Sequence, residues 1–110
     1  MPSQLPEKPT LGDFQADIKR LVAERGWDDE TIQDIFLLMV EEVGELAKEL
    51  RKTIGMHVDV AKTTTTDHAK LEGEFADIFN YLLDLANKLG VDLERAYRNK
   101  MKEVEGRTWK

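Results

Sequence analysis

The stretch Ile32–Leu50 reads IQDIFLLMVEEVGELAKEL, and its apolar residues alternate spacings of four and three. The residues in this pattern are Ile32, Phe36, Met39, Val43, Leu46 and Leu50. Such spacing predicts a long helix with an apolar seam that packs against another helix. We expect Asp28 or Asp29 to cap this helix, which runs to about Thr53, with Gly55 as its stop.

Three further helices are predicted on either side of this one. The first begins at a capping box on Thr10 and ends at Gly26, and the third runs from about Asp67 to Gly90. Asp92 caps the fourth, whose inward residues are expected to be Leu93, Ala96, Tyr97, Met101 and Val104. No segment alternates like a strand. The fold class predicted is therefore all-α, a four-helix bundle-like domain that associates with itself through its helix seams.

Composition and charge exclude several classes of protein. A chain of 110 residues suits one compact domain, and its net charge of −6 argues against a nucleic-acid or anionic-membrane surface. It has no cysteine, no apolar run long enough for a bilayer and no secretory signal, so a cytoplasmic location is expected. All three prolines lie in residues 1–9, which we predict to be a flexible leader before a single domain over residues 10–110. Residues 55–66 are a long connection, expected to be disordered or a lid.

Two acidic pairs carry the chemistry. Glu42 and Glu45 are three residues apart, as are Glu74 and Asp77, so each pair points to one side of its helix and flanks the apolar seam. If the second and third helices are antiparallel, the four carboxylates converge and need cations to be stable. Such an all-oxygen cluster suits Mg²⁺ or Mn²⁺. The alternative is that each pair is ordinary solvated helix surface.

Other side chains allow two interpretations each. Lys100 falls in the apolar stripe of the fourth helix, where its stem could cover the core or its ammonium could reach an anionic ligand. Trp27 could be a core-edge residue or a platform on which a base stacks. His57 and His68 lie in or beside the long connection, and we expect surface roles for both rather than metal binding.

The ordered motifs point to a known family. EEVGEL at residues 41–46, followed by EFAD at residues 74–77 and then Tyr81, resembles the MazG-like all-α nucleoside triphosphate pyrophosphohydrolases, and within them the small dCTP-pyrophosphatase-like branch. The resemblance extends from Leu11 through Arg107. It implies Mg²⁺-dependent hydrolysis of (deoxy)nucleoside triphosphates between the α and β phosphorus atoms, giving a monophosphate and pyrophosphate.

The same resemblance implies roles for single residues. The residues that match the family's metal ligands are Glu42, Glu45, Glu74 and Asp77. Tyr81 and Lys100 match positions that approach phosphate or sugar, and Trp27 matches a position that lines the base pocket. Lys52 stands where the eukaryotic relatives have an aromatic residue that caps the base, so the base preference stays open. The resemblance also implies a homodimer or homotetramer.

A function of another class competes with this one. The same helix seams suit a non-catalytic helical module that only dimerises or binds a partner helix. Such a module has no reason to place four acids beside its core, so the acidic pairs favour the enzyme.

Overall fold

The computed structural model describes residues 3–54 and 68–106. Four helices lie there: α1 (Leu11–Arg25), α2 (Ile32–Ile54), α3 (His68–Leu89) and α4 (Leu93–Glu105). These two stretches contain no strand, which confirms the all-α prediction. None of the helices within them is long and apolar enough to cross a membrane. Gly55, Asp67 and the predicted long connection lie outside the described residues.

The two ends of α1 are those predicted from the sequence. Thr10 Oγ1 accepts a hydrogen bond from the Asp13 N–H at 3.1 Å, and Asp13 Oδ2 accepts one from the Thr10 N–H at 2.8 Å, which completes the capping box. Gly26 ends the helix in the left-handed conformation with φ 71°, which residues with a Cβ adopt at a cost. Gly90 follows α3 in the same way, with φ 68°.

The start of α2 differs from the prediction. Thr31 caps the helix, because its Oγ1 accepts a hydrogen bond from the Asp34 N–H at 3.1 Å and its carbonyl accepts one from the Ile35 N–H. Asp28 and Asp29, the predicted caps, lie in a turn that precedes the helix. Their carboxylates come too early in the chain to meet the first free N–H groups, so Thr31 takes that role.

The chain divides into two compact units. The first contains residues up to Asp29 and from Leu83 onward, and the second is Glu30–Leu82. In the first unit α1 contacts α4, and Ile18 and Val22 of α1 are buried. The prediction of one domain over residues 10–110 stays a prediction.

A polar network is built into the first unit around Gln15, which is buried on α1. Its side-chain amide donates to Asn87 Oδ1 at 3.0 Å and to the Val91 carbonyl at 2.9 Å, and its Oε1 accepts from the Leu93 N–H at 2.9 Å. Asn87 Nδ2 donates in return to the Gln15 carbonyl at 2.8 Å. The network therefore ties α1 to the end of α3 and the start of α4.

Part of the N-terminal leader contacts α1 through Asp17. Ser3 Oγ donates to Asp17 Oδ2 at 2.7 Å, the Gln4 N–H donates to Oδ1 at 3.0 Å, and Arg20 lies 3.3 Å from the same carboxylate. The hydrogen bonds from the Gln4 backbone and then from Ser3, with the nearby guanidinium, hold the pKa of Asp17 below its usual value. The predicted flexibility of the leader stays a prediction.

In the second unit, α2 buries a face other than its predicted seam. Ile35 and Glu49 are buried, whereas Phe36 of the seam is 50% exposed. The other seam residues that are exposed are Ile32, Val43 and Leu50, while Met39 and Leu46 are half-buried. Within one chain, most of the apolar seam is thus uncovered.

The helix α4 has no buried residue. Leu93, Met101 and Val104 are half-buried, but Ala96 and Tyr97 are exposed, so the prediction that these two point inward is wrong for the single chain. The shortness of the helix and the few contacts it makes explain the difference, since a helical stripe is buried only where a neighbour covers it.

Candidate metal site

Three of the predicted acids come together in the second unit. Glu42 of α2 and Glu74 and Asp77 of α3 each place one carboxylate oxygen so that the three atoms lie within 4.8 Å of one another. The spacing of three residues puts Glu74 and Asp77 on one side of α3. Glu42 and Glu74 are half-buried and Asp77 is exposed, so the cluster is open to solvent on one side.

The carboxylates of this cluster repel one another when no cation is bound. Burial raises the pKa of Glu42, and a hydrogen bond shared with Glu74 and the charges of Asp77, Glu74 and Glu45 raise it further. Glu74 Oε2 is buried and has no hydrogen-bond partner among the described residues. A buried carboxylate oxygen without a partner is costly, and a bound cation would remove that cost.

The donor set is suited to a hard cation. It consists of carboxylate oxygens alone, with no histidine or thiolate in the group. Calcium, magnesium and manganese ions prefer such oxygen ligands, whereas zinc and iron sites usually include nitrogen or sulfur. The three acids could therefore hold a divalent metal ion.

The fourth predicted ligand, Glu45, lies outside this group. It is exposed, and its charge contributes to the raised pKa of Glu42. Glu41 is also exposed.

Tyr81 lies beside the acids, one turn of α3 after Asp77. It is half-buried, and burial, followed by the charges of Glu42, Glu30, Asp77 and Glu41, raises the pKa of its phenol. A phenol is protonated at neutral pH even at its ordinary pKa, so the Tyr81 hydroxyl can donate a hydrogen bond. Glu30 was not predicted from the sequence, because this residue precedes α2 and belongs to no helical pattern.

The remaining predicted substrate residues belong to the first compact unit. Trp27 is exposed, and the Arg25 guanidinium lies 5.8 Å from the centre of its ring. The side chain of Lys100 is 61% exposed, with Nζ 3.6 Å from Glu103 Oε1, so its stem does not cover a core within the chain. The predicted roles of Trp27 and Lys100 toward a substrate stay predictions.

A buried carboxylate on α2 was not predicted from the sequence either. Glu49 is only 6% exposed, and its Oε1 lies 3.4 Å from Lys52 Nζ. The signal was available, because Glu49 follows Glu42 by seven residues and therefore falls on the same side of the helix. Of the two histidines, His68 is exposed at the start of α3, and His57 lies outside the described residues.

Known proteins resemble this chain over most of its length. It is 34% identical over 94 residues to the dATP/dGTP diphosphohydrolase of Salmonella phage PMBT28, and the aligned region covers 86% of this chain and 27% of that protein. It is 32% identical over 101 residues to dCTP pyrophosphatase 1 of Rattus norvegicus, covering 91% of this chain and 59% of that protein. The chain thus spans about a quarter of the phage protein and about three fifths of the rat protein.

A solved structure and a family model also match most of the chain. The crystal structure of YpjD from Bacillus subtilis matches with a TM-score of 0.76 and 28% identity, over 89% of this chain and 97% of that one. This match confirms the predicted all-α fold. The model of the MazG nucleotide pyrophosphohydrolase domain matches residues 30–109, which include all three clustered acids. The chain therefore belongs to the MazG nucleotide pyrophosphohydrolase domain family.

Proposed function

We propose that this chain hydrolyses (deoxy)nucleoside triphosphates to a nucleoside monophosphate and pyrophosphate, with Mg²⁺ or Mn²⁺ as cofactor. The observation that carries the proposal is the convergence of Glu42, Glu74 and Asp77, with a buried and unpartnered Glu74 oxygen, in a chain of the MazG family. Two relatives are named for hydrolysis of dCTP and of dATP and dGTP, which supports a deoxynucleoside triphosphate as substrate.

The acids serve mainly to hold the cation. Glu42, Glu74 and Asp77 would be its ligands, with Glu45 as the fourth, and Mg²⁺ suits them because it accepts a few carboxylates and keeps positions for substrate phosphates. A bound ion would offset part of the negative charge of the triphosphate and would lower the pKa of a water so that hydroxide is available near neutral pH. Without it, a chain of net charge −6 would repel a triphosphate.

The other residues bind and orient the substrate. Tyr81 keeps its proton beside the acids, so its hydroxyl is available to donate to a phosphate or sugar oxygen. We assign Lys100 to the developing negative charge on the phosphates and Trp27 to stacking on the base. Both side chains are accessible in the first unit, as these roles require.

We further propose that the active form is a homodimer or homotetramer. The exposed side of α2 carries Phe36, Val40, Val43 and Ile54, and Phe75 of α3 in the same unit is also exposed. An uncovered apolar stripe of this length is typical of an interface, and a second copy offers the same stripe in return. The predicted cytoplasmic location stays a prediction.

Product analysis tests the activity. We expect purified protein with Mg²⁺ to convert triphosphates to monophosphate and pyrophosphate, and to be inactive when the metal is chelated. Orthophosphate and diphosphate as products would move the cleaved bond to the γ phosphorus and contradict the assignment. No turnover of any triphosphate would favour the non-catalytic interaction module.

Variants of the acids test the site. Replacing Glu42, Glu45 or Glu74 with glutamine should abolish metal-supported turnover, because each change removes a ligand charge but little volume. Glu41→Gln is the matched control, since it removes the same charge from an exposed position on α2 and should cost much less. Full activity of the Glu45 variant would refute its assignment as a ligand.

A further inference from the structure

Gly44 lies in the middle of α2, and the chain itself gives no reason for a glycine there. The residue is exposed, and within the described residues a Cβ added to it would meet nothing within 4 Å. Glycine weakens the interior of a helix more than any residue except proline. The common reason for accepting that cost is the close approach of another backbone. The described part of the chain does not supply that backbone.

Gly44 borders the uncovered apolar side of α2. At about 100° per residue, Leu37 lies within about 20° of Gly44 around the helix and Val40 within about 40°. The large apolar residues of α2 that are exposed are Ile32, Phe36, Leu37, Val40, Val43, Leu50 and Ile54. Their exposed surface is on the order of 600 Å², which approaches the roughly 800 Å² that each partner of a stable interface buries. A surface of this length suits another long helix.

A row of charged residues runs along the edge of this side next to Gly44. Asp34, Glu41 and Lys48 follow one another at intervals of seven residues, so they share one edge of α2, and all three are exposed. The row is acidic toward the start of the helix and basic toward its end. Two antiparallel copies of α2 that cross at Gly44 bring Glu41 of one copy close to Lys48 of the other, and the two-fold axis repeats this pair. In a parallel dimer this edge meets the other edge of the partner, so the pair does not form.

We infer that α2 of a second copy of this chain packs antiparallel on the uncovered side of α2, and that the two helices cross at Gly44. The inference rests on the proposed self-association and adds to it the surface, the direction of the helices and the point of closest approach. Glu42 points about 160° away from Gly44 around the helix. The partner therefore leaves the acid side of α2 open, and each copy keeps the metal site formed by its own Glu42, Glu74 and Asp77.

Cysteine cross-linking tests the crossing point, because the chain has no cysteine of its own. In Gly44→Cys the two thiols of a dimer lie beside the two-fold axis, at the roughly 4–7 Å between Cα atoms that a disulfide requires. We expect oxygen with a copper catalyst to convert most of this variant to a covalent dimer on a non-reducing gel. Leu37→Cys is the matched control, because it lies on the same edge seven residues earlier and its two copies are about 20 Å apart in the antiparallel dimer. We expect no link there.

Charge reversal tests the direction of the helices. Lys48→Glu makes both pairs with Glu41 repulsive, so we expect the Kd of the dimer to rise about ten-fold at low salt, measured by sedimentation velocity. Adding Glu41→Lys restores opposite charges and should return the Kd to the parental value. Lys19→Glu is the matched control, since it makes the same change at an exposed position on α1 and should leave the Kd unchanged.

These measurements need no turnover, so this inference and the proposed hydrolysis fail separately. A protein that stays monomeric at high micromolar concentration overturns both the proposed self-association and this inference, whether or not it hydrolyses a triphosphate. A dimer in which Leu37→Cys links as readily as Gly44→Cys overturns the inference alone, because an in-register parallel pair treats the two positions alike. Failure of Glu41→Lys to rescue Lys48→Glu overturns it as well.

Discussion

Replacing Gln15 with leucine removes the three hydrogen bonds that its side-chain amide makes to Asn87, Val91 and Leu93. Each bond contributes about 1 kcal/mol net, and the added apolar surface of a buried leucine returns about 1 kcal/mol of the loss. We therefore expect the free energy of unfolding to fall by about 2 kcal/mol. In a chain of this size, such a loss lowers Tm by roughly 10 °C.

Urea unfolding followed by circular dichroism measures this loss. Each variant is compared with the parent at two protein concentrations, since self-association would stabilise the folded state. Gln33→Leu is the matched control, because Gln33 is exposed on α2 and the same change there should alter stability by no more than about 0.5 kcal/mol. The slope of unfolding free energy against urea should stay unchanged, as the same surface is exposed in both proteins.

The network also predicts coupling between its members. In a double-mutant cycle, Gln15→Leu and Asn87→Ala should together cost less than the sum of the two single changes, because each removes the one hydrogen bond between their side chains. A loss of stability in Gln15→Leu no larger than that in Gln33→Leu would show that the network does not stabilise the fold. In that case water would satisfy the Val91 carbonyl and the Leu93 N–H as well as Gln15 does.

Four other expectations follow from the structure. With metal chelated, Glu42→Gln should melt higher than the parent at neutral pH, because the raised pKa of Glu42 makes its charge destabilising above that pKa. This difference in melting temperature should vanish below the ordinary pKa of glutamate. Asp17→Asn should melt lower at neutral pH, and because the pKa of Asp17 is lowered, this difference should disappear as the pH falls through the folded-state value. Lys100→Met should be as stable as the parent but about ten- to a hundred-fold lower in kcat/KM, and a parental rate would remove Lys100 from the site. Light scattering at micromolar concentration should give a mass at least twice the 12.6 kDa of one chain, and a mass near 12.6 kDa would contradict self-association.

Local signals in the sequence were enough to locate most helix ends. The capping box at Thr10, the left-handed Gly26 and the Asp92 cap depend on residues within a few positions of each other, so a short window contains all the information. The same approach failed at α2, where Asp28, Asp29 and Thr31 are all good caps. Which of them meets the free N–H groups is decided by the path of the preceding turn.

The acidic cluster was predictable for a related reason. Glu74 and Asp77 share a helix face by spacing alone, and one further assumption, that α2 lies beside α3, brings Glu42 to them. Gln15 had no such signal, since its partners Asn87 and Val91 are more than 70 residues away in the chain. The exposure of the apolar seam of α2 could not be predicted either, because the spacing of the apolar residues is the same whether the chain itself or another copy covers them.

The two sides of α2 restrict how this segment of the gene can change in length. Glu42 faces the acids of α3, while Phe36 and Val40 lie on the exposed apolar side of the same helix. Each residue advances the helix by about 100°, so one codon inserted between Val40 and Glu41 would swing Glu42 away from Glu74. A whole heptad would restore the angle but displace the carboxylate by about 10 Å along the axis. Position 41, between Val40 and Glu42, is thus expected to tolerate substitution, whereas an insertion or a deletion there would misplace Glu42.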